Sequence, residues 1–150
     1  MKNTIRGRVL APFLLALAAA GCATGGMEPD EKLALYEASA GAPVDSFQYF
    51  GSINGWTPLG DSAIAVWTRP REAWLLDFHG PCKDVEYSPV ITVTNSMGRV
   101  SAKFDKVIAR SRGSMEMPCT IRQIRPLDVS AIREAEKTAR DQPGGGSTGT

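Results

Sequence analysis

The chain has 150 residues, a length that fits one domain, and its 17 basic and 16 acidic residues give a formal net charge of +1. Without residues 1–21, which hold three of the basic residues, 14 basic residues face 16 acidic ones, a net charge near −2. A nucleic-acid-binding domain normally has a strong basic excess, so this composition argues against nucleic acid as a partner.

The first 21 residues have the pattern of an export signal. Lys2, Arg6 and Arg8 give a positive start, and residues 9–20 follow as a 12-residue run without charge. A membrane-spanning helix needs roughly 20 apolar residues, so this run is too short to be one. We therefore predict a signal peptide over residues 1–21.

The sequence Ala19-Ala20-Gly21-Cys22 resembles a bacterial lipobox, in which the cysteine thiol takes the lipid and becomes the mature N-terminus. The commonest lipobox has leucine where this one has Ala19. Ordinary cleavage after Ala18-Ala19-Ala20, giving a soluble periplasmic protein, is therefore the alternative. Ala23 is not aspartate, which by resemblance to enterobacterial lipoproteins favours the outer membrane. We predict that a lipid on Cys22 holds the protein in the cell envelope, at the outer membrane and facing the periplasm.

Flexible segments flank the predicted folded unit. Residues 22–29 are mostly small and form the predicted lipid-anchored tether, and the glycine-rich residues 142–150 cannot bury a core. We predict a disordered tail over residues 142–150 and a single β-rich domain with flanking helices over residues 30–141.

One short helix is expected at the start of this domain. It begins at Pro29, with acidic residues following, and ends at Gly41, and both are typical helix boundaries. Leu33, Tyr36 and Ala40 lie near helical spacing on one side. This side is predicted to pack on the domain.

From residue 46 the apolar period changes to two, since Phe47 and Tyr49 are separated by Gln48. The dipeptide Asn54-Gly55 suits a tight turn and predicts a first hairpin. The other predicted strands cover residues 63–68 and 73–78, joined as a second hairpin, then 90–94, 100–110 as two segments or one bent strand, and 119–126.

Within residues 73–78, the side chains of Trp74, Leu76 and Phe78 share one face, which we predict to be core. Six or seven strands without a crossover helix between residues 46 and 126 indicate an antiparallel arrangement. The predicted fold is mainly β, a small antiparallel sandwich or half-open barrel with a short N-terminal helix and a C-terminal helix.

The C-terminal helix is predicted over Val129–Arg140, with Asp128 as its N-cap and Ile132 on a thin apolar side. Arg125 precedes the cap at the strand-to-helix corner. We predict that Arg125 and Asp128 brace each other there rather than contact a partner.

Cys82 and Cys119 remain once Cys22 is assigned to the lipid, and an even pair in an exported chain is usually a disulfide. The alternative is a metal site formed by His79 and the two cysteines. Zinc normally requires a denser set of ligands. We predict the disulfide, and no metal or cofactor.

His79 is the only histidine, so any Ser-His-Asp or Cys-His mechanism would have to use it. It follows Asp77 by two residues, but no nucleophile motif accompanies it, and a solvent-facing histidine is the simpler interpretation. The scattered carboxylates are interpreted as surface charges rather than as a glycosidase pair; they are Asp77, Asp84, Glu86 and Asp105. We predict no catalytic residue.

Six aromatic residues crowd into positions 47–74, more than one face of a small sheet needs. Core filling is the favoured interpretation. The alternative is an exposed ligand or partner patch formed by Trp56, Trp67, Trp74, Asp77 and His79.

Several motifs follow one another in this chain: Asp45-Ser-Phe-Gln-Tyr-Phe, Gly55-Trp-Thr-Pro-Leu-Gly-Asp, Val66-Trp-Thr-Arg-Pro, Trp74-Leu-Leu-Asp, Gly80-Pro-Cys and Ile121-Arg-Gln-Ile-Arg-Pro-Leu-Asp. With them, about residues 33–130 resemble a family of small exported Gram-negative proteins, many with lipoprotein signals, catalogued only as a domain of unknown function. The resemblance implies the pair Cys82 and Cys119 and an envelope location, and it transfers no activity.

The leading hypothesis is a non-catalytic envelope lipoprotein that binds an envelope protein partner or helps an envelope assembly. The second is a small-molecule or glycan binder that uses the aromatic strand residues. The third is a hydrolase built on His79 and nearby acids.

Overall fold

The computed structural model describes residues 27–110 and 117–141. The predicted signal peptide, Cys22, most of the tether, residues 111–116 and the C-terminal tail lie outside these ranges. None of the helices within the described ranges is long and apolar enough to cross a membrane.

Eight strands and three helices make up the described chain. The helices are α1 (Pro29–Ala38), α2 (Lys83–Tyr87) and α3 (Val129–Asp141); the strands are β1 (Ser46–Gln48), β2 (Gly55–Leu59), β3 (Ala63–Arg69), β4 (Glu72–Phe78), β5 (Val90–Val93), β6 (Arg99–Ser101), β7 (Lys106–Arg110) and β8 (Pro118–Leu127). Six strands form one antiparallel sheet in the order β2-β3-β4-β8-β7-β5, and β1 pairs with β6. The predicted mainly β, half-open fold with a helix near each end is confirmed.

The hairpin between β3 and β4 forms where the sequence predicted it. Arg69 pairs with Glu72 across the two residues Pro70 and Arg71, and the Thr68 hydroxyl donates to the Glu72 carboxylate at 2.6 Å. Proline at the start of a turn fixes a favourable φ angle, so the local sequence is sufficient to specify this connection.

The hairpin predicted at Asn54-Gly55 is wrong. Gly55 begins β2, which pairs with β3, whereas β1 pairs with the distant β6 through the register Phe47 to Val100. The turn that precedes β3 contains Gly60, whose φ of 71° suits glycine. Burial of Phe47 against a distant strand outweighs the local turn preference of the Asn-Gly dipeptide.

Helix α2 lies between β4 and β5, where the sequence pattern predicts no helix. It has only five residues, and its single buried side chain, Val85, enters the core. One apolar anchor gives no helical periodicity for a sequence pattern to detect.

The concave side of the sheet, here called the inner face, carries the main core. The predicted core face of β4 is confirmed, because Leu76 and Phe78 are buried in this core and Trp74 packs against it. The ribbon of β1 and β6 closes over the same core with Phe47 and Val100, both almost fully buried.

The opposite side of β4, on the outer face of the sheet, is buried as well. Alanine side chains leave room for α1 and α3 to approach the sheet, and Tyr36 and Ile132 fill the space between. The strand residues of this second cluster are Leu59, Ala63, Ala65, Ala73, Leu75 and Leu127. The sheet therefore has a core on both faces along β2, β3, β4 and the end of β8.

Candidate functional site

The predicted disulfide is present and joins the end of β4 to the start of β8. Gly80-Pro81 ends the strand, and Cys82 follows directly before α2, where its N–H donates to the Asp61 carbonyl at 2.7 Å. Cys119 pairs with Val107 in the sheet. The two cysteines are bonded, with their Cα atoms 5.9 Å apart. Because both sulfur atoms are bonded in the disulfide, they are not free to serve with His79 as ligands of the alternative metal site.

A cleft of about 400 Å³ lies beside this disulfide. Its lining includes His79, Lys83, Asp84, Met117 and Thr120. The exposed His79 is held by its backbone, because its N–H donates to the Thr120 carbonyl at 3.1 Å. Within the described residues the imidazole makes no side-chain hydrogen bond. The cleft thus offers two basic groups and one carboxylate at the surface.

The side chains of Asp77 and His79 do not form a common site. Asp77 is buried within β4, whereas β4 ends at Phe78 and His79 lies exposed beyond the end of the strand. The Asp77 side chain is buried, and its Oδ2 lies 3.4 Å from Arg125 Nη2. Asp77 therefore holds an internal ion pair.

Arg125 also reaches Glu37 of α1, with 4.0 Å between Nη2 and Oε1. It does not brace Asp128, so that part of the sequence prediction is wrong. Asp128 instead caps α3 as predicted, since its Oδ1 accepts the N–H groups of Ser130 and Ala131 at 3.0 Å each. The register of β8 aims Arg125 at β4 and α1, and a single sequence does not reveal that register.

The three tryptophans are divided between the two faces of the sheet. Trp56 and Trp74 both lie across from Val66 and pack on the inner core, where Trp74 stacks on Phe47 with ring centroids 4.9 Å apart. Trp67 packs on the outer cluster beneath the helices. The structure therefore does not bring Trp56, Trp67 and Trp74 into one patch.

One of the three remaining candidate carboxylates, Asp105, is accounted for by its hydrogen bonds. Asp105 is buried and accepts the Thr94 hydroxyl at 2.8 Å and the Ser101 N–H at 2.7 Å, so it fixes the connection from β6 to β7. Asp84 lines the cleft, and Glu86 is exposed on α2. These residues are spread over separate elements.

A hydrogen bond that sequence reasoning missed joins α1 to α3. The Tyr36 hydroxyl donates to Glu136 Oε1 at 3.0 Å. Beside this hydroxyl, on β2, the Thr57 hydroxyl oxygen accepts the indole N–H of Trp67 at 3.4 Å. Burial, together with the negative charge of Glu136, raises the pKa of Tyr36 well above its ordinary value.

Half of the outer face has no helix over it in the described structure. The residues of the outer cluster come from β2, β3, β4 and the end of β8, and none comes from β5 or β7. We call the remaining half the uncovered face and define it by the outward residues Val90, Thr92, Ile108 and Pro118, three of which pair in one row. Val90 keeps 53% of its surface exposed.

Sequence reasoning also missed the uncovered face. The alternating burial of β5 resembles that of any half-buried strand. Only the positions of α1 and α3 reveal that nothing described covers this half of the sheet. Met117, which directly precedes Pro118 in the chain, is a further exposed apolar side chain.

Comparison with known proteins and families identifies the family of this chain. The model of a family described as a family of unknown function (DUF6491) matches residues 2–143. No curated protein and no solved structure matches the chain. The match covers nearly the entire sequence, including the segment predicted to be an export signal.

Proposed function

The chain belongs to the DUF6491 family, and we propose that it is a non-catalytic module of the cell envelope. In this proposal a lipid on Cys22 holds the protein at the outer membrane, facing the periplasm. The β domain then binds an envelope protein. The observation that carries the binding role is the uncovered face.

Two features support a location outside the cytoplasm. The signal pattern of residues 1–21 precedes Cys22. The Cys82–Cys119 disulfide is of the kind that persists in oxidising compartments such as the periplasm. Both features are expected for a protein exported through the inner membrane.

The uncovered face supports protein binding because it exposes apolar side chains on a rigid sheet. On the face itself Val90 is 53% exposed, and Met117, which directly precedes Pro118 in the chain, is 64% exposed. Clustered exposed apolar residues with polar neighbours are typical of protein interfaces. The strands beneath them are fixed by the inner core, so the face needs no reorganisation to bind.

A small-molecule or glycan binder remains the second candidate. It would need Trp56, Trp67 and Trp74 on one surface, yet two of them pack on the inner core and the third packs beneath the helices. Their contacts support a packing role. Binding of an envelope protein is therefore the better supported of the two roles.

Photocrosslinking in intact cells tests the binding role. A photoreactive amino acid replaces Val90 on the uncovered face and, as the matched control, Lys137, which is exposed on α3. We expect an adduct of one defined mass with another envelope protein at position 90 and none at position 137. Pro118→Asp, on the same face, should reduce the adduct severalfold. Identical adducts at both positions, or an adduct insensitive to Pro118→Asp, would contradict the proposal.

The anchor is tested separately by labelling cells with a palmitate analogue. The native protein should take up label, and Cys22→Ser should take up none. If the native protein is unlabelled but is still cleaved and exported, ordinary cleavage near Ala18-Ala19-Ala20 replaces the lipid anchor. The crosslinking result would then stand independently.

A further inference from the structure

The two edges of the six-stranded sheet differ in their protection against pairing with another strand. The edge strand β2 carries Pro58 near its middle and lies against α1. Proline lacks an N–H group and is a common means of blocking an edge. The other edge strand, β5, reads Val90-Ile-Thr-Val and contains no proline, charge or bulge. Its four β-branched residues favour strand pairing.

The main-chain groups on the free side of β5 belong to Ile91 and Val93. The Thr94 N–H donates to the Lys106 carbonyl at 2.9 Å, so residue 94 is in a hydrogen-bonded pair with β7. Because such pairs alternate along an antiparallel ladder, residues 92 and 90 also bond to β7. The N–H and C=O groups of Ile91 and Val93 consequently point away from β7. No hydrogen bond within the described residues engages these outward groups.

We propose that this edge pairs with the same edge of a second copy of the chain. The two β5 strands run antiparallel about a two-fold axis at Thr92, with Ile91 opposite Val93 of the second copy. The two sheets then continue into one sheet of twelve strands. The interface is isologous, since the same residues contribute from both copies.

The alternation of β5 selects this register. Ile91 and Val93 both face the inner core, and Thr92 faces outward. Residues directly opposite each other must share a face of the sheet, so inward residues have to meet inward residues. Pairing Ile91 with Val93 meets this condition and also joins the free main-chain groups into hydrogen-bonded pairs. A slip of one residue would satisfy neither requirement.

A second copy fits the electrostatics of the edge as well. Every residue of β5 is uncharged, so the two strands meet without like charges facing each other. The register also places Thr92 directly opposite Thr92 of the second copy. Pairing brings the two uncovered faces side by side, which doubles the surface available to a partner. The dimer does not depend on the lipid at Cys22 or on the proposed partner.

A cysteine at the two-fold axis gives the first test. Thr92 is exposed, and Thr92→Cys in the full-length protein should form a disulfide-linked dimer in the envelope, visible on a non-reducing gel. Opposite residues in a non-hydrogen-bonded pair lie about 4.5 Å apart at their Cα atoms, close enough for a disulfide. Ser52→Cys, on an exposed loop, is the matched control and should stay monomeric. Equal dimer yields from the two variants would overturn the proposal.

Charge substitution at the same position gives the second test. We expect sedimentation of the purified mature protein to show concentration-dependent dimers. Thr92→Lys and Thr92→Glu should each weaken self-association roughly fivefold, because like charges face each other across the axis. A one-to-one mixture of the two variants should regain association. A native chain that is monomeric at all concentrations, or variants that dimerise like the native chain, would show that β5 does not pair in this way.

The photocrosslinking experiment and the sedimentation experiment together distinguish this dimer from the proposed binding of an envelope partner. A photocrosslinked adduct at twice the monomer mass reports the second copy, whereas a heterologous adduct reports an envelope partner. Because Thr92 lies on both the β5 edge and the uncovered face, the two proposals are separated by the adduct mass at position 90 of the otherwise native chain and by sedimentation of the purified protein, which contains no envelope partner. Each proposal can therefore fail alone.

Discussion

Asp77 of β4 and Arg125 of β8 form an ion pair on the outer face of the sheet, with 3.4 Å between Oδ2 and Nη2. The Asp77 side chain is only 6% exposed and that of Arg125 20%. Glu37 approaches the same guanidinium from α1. This pair therefore links the two central strands of the sheet to the helix above them.

Removing one partner of this pair should destabilise the fold. We expect Asp77→Ala to lower the free energy of unfolding by about 2–3 kcal/mol, less than for a fully buried pair because Arg125 is partly solvated. Urea unfolding followed by fluorescence measures the change. A double-mutant cycle with Arg125→Met should give a coupling of about 1–2 kcal/mol.

The control for this ion pair is Asp45→Asn, at an exposed carboxylate that takes part in none of the ion pairs described above. It should change stability by less than about 0.5 kcal/mol. Additive effects of Asp77→Ala and Arg125→Met, with no coupling, would contradict the proposed link.

The disulfide should carry a large share of the stability. Cys82 and Cys119 are separated by 37 residues, and cross-linking a loop of this length contributes roughly 4 kcal/mol by restricting the unfolded chain. The double variant with both cysteines changed to alanine should lose about that amount in urea unfolding, and reduced native protein should behave similarly. Equal midpoints for the oxidised and reduced proteins would show that the bond contributes little.

Tyr36 predicts how stability falls at alkaline pH. Its pKa is raised in the folded state by burial and by Glu136, so the unfolded chain loses the proton first as pH rises. The contribution of protonated Tyr36 to the free energy of unfolding is complete below the pKa of the unfolded chain, near 10. This contribution is lost as the pH rises from there toward the higher pKa of the folded state. The slope from this one group is about −1.4 kcal/mol per pH unit.

Replacing Tyr36 by phenylalanine isolates this effect. Tyr36→Phe should cost roughly 1 kcal/mol at pH 7 through the lost hydrogen bond, and it should flatten the decline above pH 10. Tyr87→Phe is the matched control, because Tyr87 is 80% exposed and should leave the alkaline slope unchanged. The same slope in the native protein and in Tyr36→Phe would assign the decline to other groups.

Removing the N-cap of α3 should lower the stability of the protein. Asp128→Ala removes the acceptor of the Ser130 and Ala131 N–H groups and should cost about 1 kcal/mol in thermal or urea unfolding. Asp128→Ser should keep most of that stability, since serine also caps well. If alanine and serine destabilise equally, the loss does not come from the cap.

Much of the fold was predictable because local patterns reflect local physics. The alternation of Phe47 and Tyr49, the hairpin across Pro70 and Arg71 and the cap at Asp128 were each specified by neighbouring residues. The disulfide was predictable because only two cysteines remained to pair. In each case the information lies within a few residues or in a simple count.

The candidate site was less predictable because it depends on which distant elements meet. The uncovered face exists because α1 and α3 pack on β2, β3 and β4 and end there. The strand pattern of Val90 and Thr92 would be the same with a helix above it. The division of the tryptophans between the faces follows from the register of β2, β3 and β4.

By itself the sequence determined the strand-rich composition, the paired cysteines and the starts of α1 and α3, since each rests on local preference or on counting. Only the tertiary structure decided that β4 is buried on both faces, that Arg125 pairs with Asp77 rather than Asp128, and that β5 is left as an open edge. These outcomes depend on the total burial and hydrogen bonding gained when distant elements pack together. The residues of a strand indicate which of its faces is buried, but they do not indicate which distant element packs against that face.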